Sequence, residues 1–284
     1  MKNNNYKIFK PIFIIGTSRS GTNILYKLFT SHKDTAYFEN NSSSYYLRPE
    51  MFKFIPLKIK FQKLRYGNQR PKTSEGWVWD RFYTPLQYLE EFHATDEIKN
   101  YYYNAIKYQL KAFNAKRFVG SNPRNCMRIK WLNHMFPDAF YVVITRDTKS
   151  VINSMYQVLT RKKKKWGTKF LDPPSSLRGY GHIKKILGEN DSDMKTCMDW
   201  YELYHHTLHK DLPIVSERTI HVKYEEFVKD SRNTIKKLYE FTNLDWYNEL
   251  EKSIPEHVDL TRNERWKLLP ETEKKILEDY INKQ

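Results

Sequence analysis

Cysteine is nearly absent from this sequence. Of 284 residues only Cys126 and Cys197 carry thiols, so no disulfide framework can staple the fold. With no CxxC pair and no Cys/His cluster, nothing in the spacing suggests structural zinc, and a reducing compartment is expected. Long apolar runs are missing too. The polar, basic stretch Met1 to Lys10 leads only into Pro11 to Ile15, too short for a signal-peptide core or a membrane span, so a soluble, cytoplasmic protein is expected. No internal repeat is visible. Acidic residues are the minority, 33 against 49 Lys and Arg, which leaves a formal charge of +16. That surplus favours anionic partners without choosing among nucleic acid, an acidic membrane face, a phosphorylated cofactor and a polyanionic substrate. What is abundant is apolar and aromatic: 39% and 15% of the chain, enough for a sizeable core and against disorder. The length suits one domain, residues 1–284, carrying insertions.

Local patterns give the fold class. Pro11 to Ile15 is a short β-branched and aromatic run ended by Gly16, and Ile24, Leu25, Leu28 and Phe29 then recur at helical spacing. The reading is strand, tight loop, helix. Residues 40–75 show no sustained period and read as part of an irregular insertion over about 40–95, whereas 96–113 has the spacing of an amphipathic helix. A second strand begins at Phe118-Val119, with Asn125 as N-cap of the helix that follows. Residues 139–145, Ala-Phe-Tyr-Val-Val-Ile-Thr, form the strongest strand pattern, and a helix is expected from about Thr148 to Leu159. Two strands joined by a helix make a βαβ crossover, and the unbroken apolar run of 139–145 suits a strand covered on both faces. The fold class is therefore α/β, a central parallel sheet flanked by helices. Downstream, a basic loop region is expected over about 161–192, then helices at 193–209, 231–241 and 271–281, with a strand at 219–222.

Gly16-Thr17-Ser18-Arg19-Ser20-Gly21-Thr22 has the two-glycine spacing of a Walker loop, with Thr22 where that loop has Lys. Glycines let successive N–H groups turn inward, and the helix opening at Thr22 adds its N-terminal donors and dipole, which makes an anion cradle. Arg19 can supply the cation, and Ser20 and Thr22 hydroxyls. A plain tight β-to-α turn would use the same glycines. Arg146 ends the 139–145 strand, where open α/β folds bind ligands, and Ser154 lies about two turns into the next helix. An ordinary ion pair between Arg146 and Asp147 is the competing reading.

Taken together these motifs resemble the sulfotransferase family, which uses 3′-phosphoadenosine-5′-phosphosulfate (PAPS) and releases the bisphosphate PAP. The family opens with a strand, a loop G-x-x-[RK]-[SA]-G-T and a helix, matched by Gly16 to Thr22. It also has an Arg at a strand end with a Ser eight residues later, matched by Arg146 and Ser154. The stretch Val119 to Ile129, the segment Val222 to Ser231, and Arg265-Trp266-Lys267 are similar to further family elements. The resemblance implies a P-loop-like nucleotide-binding fold and a 5′-phosphosulfate held by Thr17, Ser18, Arg19, Ser20, Gly21, Thr22 and Asn23. It implies Arg146 and Ser154 on the 3′-phosphate, and a C-terminal segment, about 255–284, closing over the nucleotide through Arg265, Trp266 and Lys267. No metal and no nucleic-acid partner are expected.

By analogy with phosphoryl transfer, such an enzyme mainly positions its reactants and stabilises charge. Arg19 is the candidate for the leaving 5′-phosphate. The acceptor hydroxyl also needs a base, typically worth about two to four powers of ten in rate. The family's cytosolic enzymes place Lys-x-His where this chain has Ser121-Asn122-Pro123, so that base is absent. Carbohydrate and tyrosyl enzymes use a Glu shortly after the first helix, which points to Glu39; an exposed turn carboxylate is the other reading, with Glu75 and His93 in reserve. Resemblance to the carbohydrate branch, with an aromatic-rich insertion (Tyr45, Tyr46, Trp77, Trp79, Phe82, Tyr83), implies a carbohydrate or glycolipid acceptor. Core packing would use those rings equally well. The Arg161 to Lys165 run follows the Ser154 helix and should approach the cleft, while His205, His206 and His209 read as polar surface rather than a metal site. A P-loop kinase and a non-enzymatic polyanion binder remain as alternatives.

Overall fold

The computed structural model describes residues 7–39, 43–66, 76–84, 86–166, 192–254 and 260–283. Strand β1 (Ile12–Ile15) consists of three isoleucines and a phenylalanine, all fully buried, as a strand covered on both faces requires. It lies at the centre of a five-stranded sheet with β2 (Thr35–Ala36), β3 (Arg117–Ser121), β4 (Phe140–Thr145) and β5 (Thr219–Lys223), in the order β2-β3-β1-β4-β5. Every pairing is parallel. Ile12 stands opposite Val119 on one side and Phe140 on the other, and Tyr141 opposite Thr219. The parallel α/β sheet is as expected. The crossover from β3 to β4, however, passes over β1, which lies between them.

Helix α1 (Thr22–Ser31) buries Leu25, Leu28 and Phe29 and packs on β1, β2 and β3. Between β2 and β3 the chain forms α2 (Ser43–Tyr46), a 3-10 segment Pro49–Phe54, α3 (Ile55–Tyr66), α4 (Gly76–Trp79) and α5 (Asp96–Phe113). Much of the stretch read as irregular is thus helical. Helix α3 escapes pattern reading because Ile55 and Ile59 are buried while Leu57, Phe61 and Leu64 are exposed, so no single apolar stripe marks it. Helix α5 falls on the residues expected. Thr95 accepts from the Ile98 N–H, Asp96 and Glu97 occupy the first turn, and Asn114, at φ 51°, closes the C-terminus.

A 3-10 turn, Pro123–Met127, precedes α6 (Ile129–Met135). Its cap is Asn122, which accepts from the Arg124 N–H at 3.0 Å; Asn125, expected as the cap, is buried within the turn. Helix α7 (Thr148–Trp166) continues past Leu159, because the Arg and Lys that follow favour helix without extending the apolar period. Helices α8 (Asp193–Asp211), α9 (Tyr224–Lys229), α10 (Ser231–Phe241) and α11 (Glu271–Ile281) complete the chain, with α7 packed on α8 and α11. The expected loop at 170–192 lies, up to residue 191, outside the described residues.

Several of the insertion's aromatics belong to the core. Trp79 is fully buried, stacks on Tyr102 at 5.1 Å and meets Phe13, Phe38 and Trp131 edge-on. Tyr46 and Tyr83 are buried, and Tyr45 and Phe82 are packed against the same core. Asp80 ties this insertion to the end of β3 through Arg124 and through Arg128, whose Nη2 lies 2.9 Å away.

Candidate functional site

The C-terminal ends of β1 and β4 lie side by side, and the loop after each turns outward there, the usual place for a ligand in an open parallel sheet. After β1 the chain is tightly confined. A Cβ on Gly16 would lie 2.6 Å from the Ile144 carbonyl, and one on Gly21, at φ 110°, 2.7 Å from the Tyr224 ring. Arg19 itself takes the left-handed conformation, φ 74°. Thr17 and Ser20 are buried, and both the hydroxyl and the N–H of Ser20 donate to the Thr17 carbonyl, at 2.8 and 3.2 Å. The Ser20 hydroxyl, read from sequence as a donor to an anion, therefore braces the loop. Ser18 is half-buried and Arg19 exposed.

Arg19, Arg146 and Ser154 come together. Arg19 Nε donates to Ser154 Oγ at 3.0 Å, and Arg146 Nη1 to the Arg19 carbonyl at 3.2 Å. They open on one cleft of ≈950 Å³ with Gly21, Thr22 and Asn23 from the loop and α1, and with Asn153, Arg161 and Lys164 from α7. The basic run thus does approach the cleft. The C-terminal segment closes one side with Arg262, Arg265 and Leu268. Trp266 sits beneath Lys149, whose Nζ is 4.4 Å from the ring centroid, while Lys267 is exposed and pairs with Glu264 at 3.3 Å. Sequence reasoning missed Arg262 and Asn263. Asn263 Oδ1 accepts from Arg146 Nε and Nη2 at 2.9 and 2.6 Å, and its Nδ2 donates to Glu225 at 3.0 Å.

Electrostatically the cleft is one-sided. Arg19, Arg146, Arg161, Lys164, Arg262 and Arg265 line it, and among the described residues no carboxylate does. Partial desolvation by the cleft walls, although the residue as a whole is exposed, and then the neighbouring charges of Arg146, Arg161 and Arg262, push the Arg19 pKa below its ordinary value. Arg146 is also lowered, chiefly by burial, against the opposing pull of Tyr224, Glu225 and Asp147. Such a crowd of partly desolvated cations is matched to a ligand with several negative charges.

The comparisons agree with that chemistry. A family model described as the sulfotransferase family matches residues 11–248. The chain belongs to the sulfotransferase family. No curated protein matches it in sequence. Among solved structures, sulfotransferase STF9 from Mycobacterium avium is 13% identical, with a TM-score of 0.59 over 98% of this chain and 77% of that one. STF1 from Mycobacterium tuberculosis H37Rv is 15% identical, with a TM-score of 0.55 over 96% and 76%. The sulfotransferase domain from the curacin biosynthetic pathway is 15% identical, with a TM-score of 0.55 over 97% and 98%. At such identities the likeness is one of fold.

The protein is a PAPS-dependent sulfotransferase, and its cleft suits that donor: a bisphosphorylated sulfate carrier needs cations at both ends, and Arg19 and Arg146 stand at the ends of β1 and β4. Among the described residues no helix is long and apolar enough to cross a membrane. The base candidates separate sharply. Glu39 is fully buried just after β2, its N–H donating to Tyr46 Oη at 3.1 Å, so the exposed-turn reading fails. It is not among the residues lining the cleft. His93 Nδ1 accepts from the Glu90 N–H at 3.0 Å as half of a capping box, a structural task. Glu75 and the side chain of Trp77 lie outside the described residues. The rings of His205 and His209 lie tilted to each other with centroids 4.3 Å apart, and no metal-binding group of three or more ligands occurs among the described residues.

Proposed function

We propose that this sulfotransferase holds PAPS in the cleft between the Gly16–Thr22 loop, α7 and the C-terminal segment. One observation carries this: the 3.0 Å bond from Arg19 to Ser154, which joins the two motifs into one anion site. When bound, PAPS supplies an SO₃ group whose S–O bond to the 5′-phosphate breaks as the acceptor oxygen bonds to sulfur. The loop residues Thr17 to Asn23 surround the 5′ end, with backbone N–H groups and Arg19 balancing charge on the departing phosphate. Arg146 and Ser154 take the 3′-phosphate, and Arg265, in the segment with Trp266 and Lys267, covers the nucleotide. Glu39, buried and outside the lining of this cleft, takes the acceptor's proton only if the acceptor enters from another side of the Gly16–Thr22 loop, which Glu39→Gln tests.

A carbohydrate or glycolipid hydroxyl is the acceptor class this reading carries. It rests on the Glu39-type base; Tyr46, Trp79 and Tyr83 lend it nothing, since they fill the core. The decisive experiment is calorimetric titration with PAP, AMP and ATP. PAP should bind best, and the preference over AMP should disappear in Arg146→Ala. Tighter binding of ATP than of PAP would overturn the assignment. Glu39→Gln should lower kcat by about a hundredfold or more while leaving PAP affinity unchanged.

A further inference from the structure

Helix α3 has two apolar faces, and among the described residues only one of them is buried. Ile55 and Ile59 are fully buried where the helix packs on α5. On the opposite side Leu57, Phe61 and Leu64 are 52, 61 and 74% exposed, and Phe54, just ahead of the helix, is 41% exposed. Spacings of three, four and three residues align these four along one stripe. Contiguous exposed apolar surface of this kind marks an interaction site.

The charges flanking the stripe identify what it meets. Residues 51–66 contain Lys53, Lys58, Lys60, Lys63 and Arg65 and no Asp or Glu. Helical spacing places Lys53 and Lys60 along one border of the stripe and Lys58 along the other. A second copy of the chain would bring these cations against their own equivalents. An anionic lipid surface accepts both parts at once, with headgroups for the cations and the acyl boundary for Leu and Phe. At 12 residues α3 is too short to span a bilayer, so it would lie along one. We propose that α3 is a membrane-surface anchor, which docks the sulfotransferase on anionic lipid through Phe54, Leu57, Phe61 and Leu64. The anchor stands independently of the acceptor reading, although an enzyme held there would meet lipid-borne hydroxyls directly.

Cosedimentation of the full chain with vesicles tests this without any turnover. Vesicles of phosphatidylcholine and phosphatidylglycerol should pellet the protein, those of phosphatidylcholine alone far less, and added salt should release it. Phe61→Glu and Leu64→Glu should each weaken partitioning about tenfold or more, with unchanged circular dichroism because both side chains are mostly exposed. Ile214→Glu, at an exposed apolar site elsewhere, should partition like the unaltered chain. The proposal is overturned if the unaltered protein stays in the supernatant with both vesicles, or if Phe61→Glu and Leu64→Glu pellet as well as it does. It is equally overturned if sedimentation shows a dimer that Phe61→Glu dissociates, with no vesicle binding by either form. Because PAP titration reads the cleft and pelleting reads α3, failure of one leaves the other standing.

Discussion

The guanidinium of Arg146 is held on one edge by Asn263, whose side-chain carbonyl accepts two of its N–H groups while the amide NH₂ donates to Glu225. Only an amide can face a cation and a carboxylate in this way; an aspartate would oppose two negative charges. Asn263→Ala should therefore weaken PAP binding by about tenfold, the scale of a hydrogen bond to a charged group. In an Arg146→Ala background the same change should have little further effect, and a double-mutant cycle by calorimetry measures this coupling. Additive losses would show that Asn263 does not act through Arg146. Cys126 gives a second prediction at this scale. It is fully buried beside the Gly16 backbone, and burial pushes its thiol up to about 12, so it stays protonated near neutral pH. Cys197 is equally buried. A maleimide should modify neither in the native protein and both after denaturation, and fast labelling of the native chain would contradict the loop packing described.

At the scale of elements, the Gly16–Thr22 loop is compressed between β4 and the start of α9, and Gly21 combines that compression with a left-handed backbone. A side chain there must adopt φ 110° and enter the Tyr224 ring. Gly21→Ala should cost about 1–3 kcal/mol in the thermal unfolding of the protein and should abolish PAP binding, because the loop must shift to accept the methyl. Elements with a clear period could be read from residues alone: α5, α10 and α11 fall where the spacing puts them, and β4 is marked by its unbroken apolar run. Helix α3 was hidden because its two apolar faces cancel the period, and the end of α7 because Lys and Arg carry no period. The same logic divides the site. Arg19 and Arg146 sit at strand-to-helix junctions and Ser154 at a fixed spacing into the helix that follows, where local sequence signals position. Asn263 meets Arg146 across 117 residues, through a 3-10 segment with no local signature, and only tertiary packing reveals it. Whether Glu39 is exposed or buried was likewise decided by what packs on β2, not by its neighbours in sequence.

For the molecule as a whole, the charge of +16 is unevenly placed: six cations crowd the cleft, and five more fall within residues 51–66. Mutual repulsion among the cleft cations opposes the packing of the three parts that bear them, which are the loop after β1, α7 and the segment at 260–268. These parts come from the beginning, middle and end of the chain, so one anion bridging them links most of the fold. A ligand at about a hundred times its Kd adds about 2.7 kcal/mol to stability, and each kcal/mol shifts Tm by about 2–4 °C in a protein of roughly this size. PAP at that excess should therefore raise Tm by about 5–10 °C. AMP, lacking the second phosphate, should raise it much less at equal concentration. High salt should shrink the PAP effect by screening the same charges. Scanning fluorimetry with both nucleotides at low and high salt measures all of this. Equal shifts with PAP and AMP would mean that the 3′-phosphate does not engage Arg146 and Ser154, and that the two motifs do not clamp a single nucleotide.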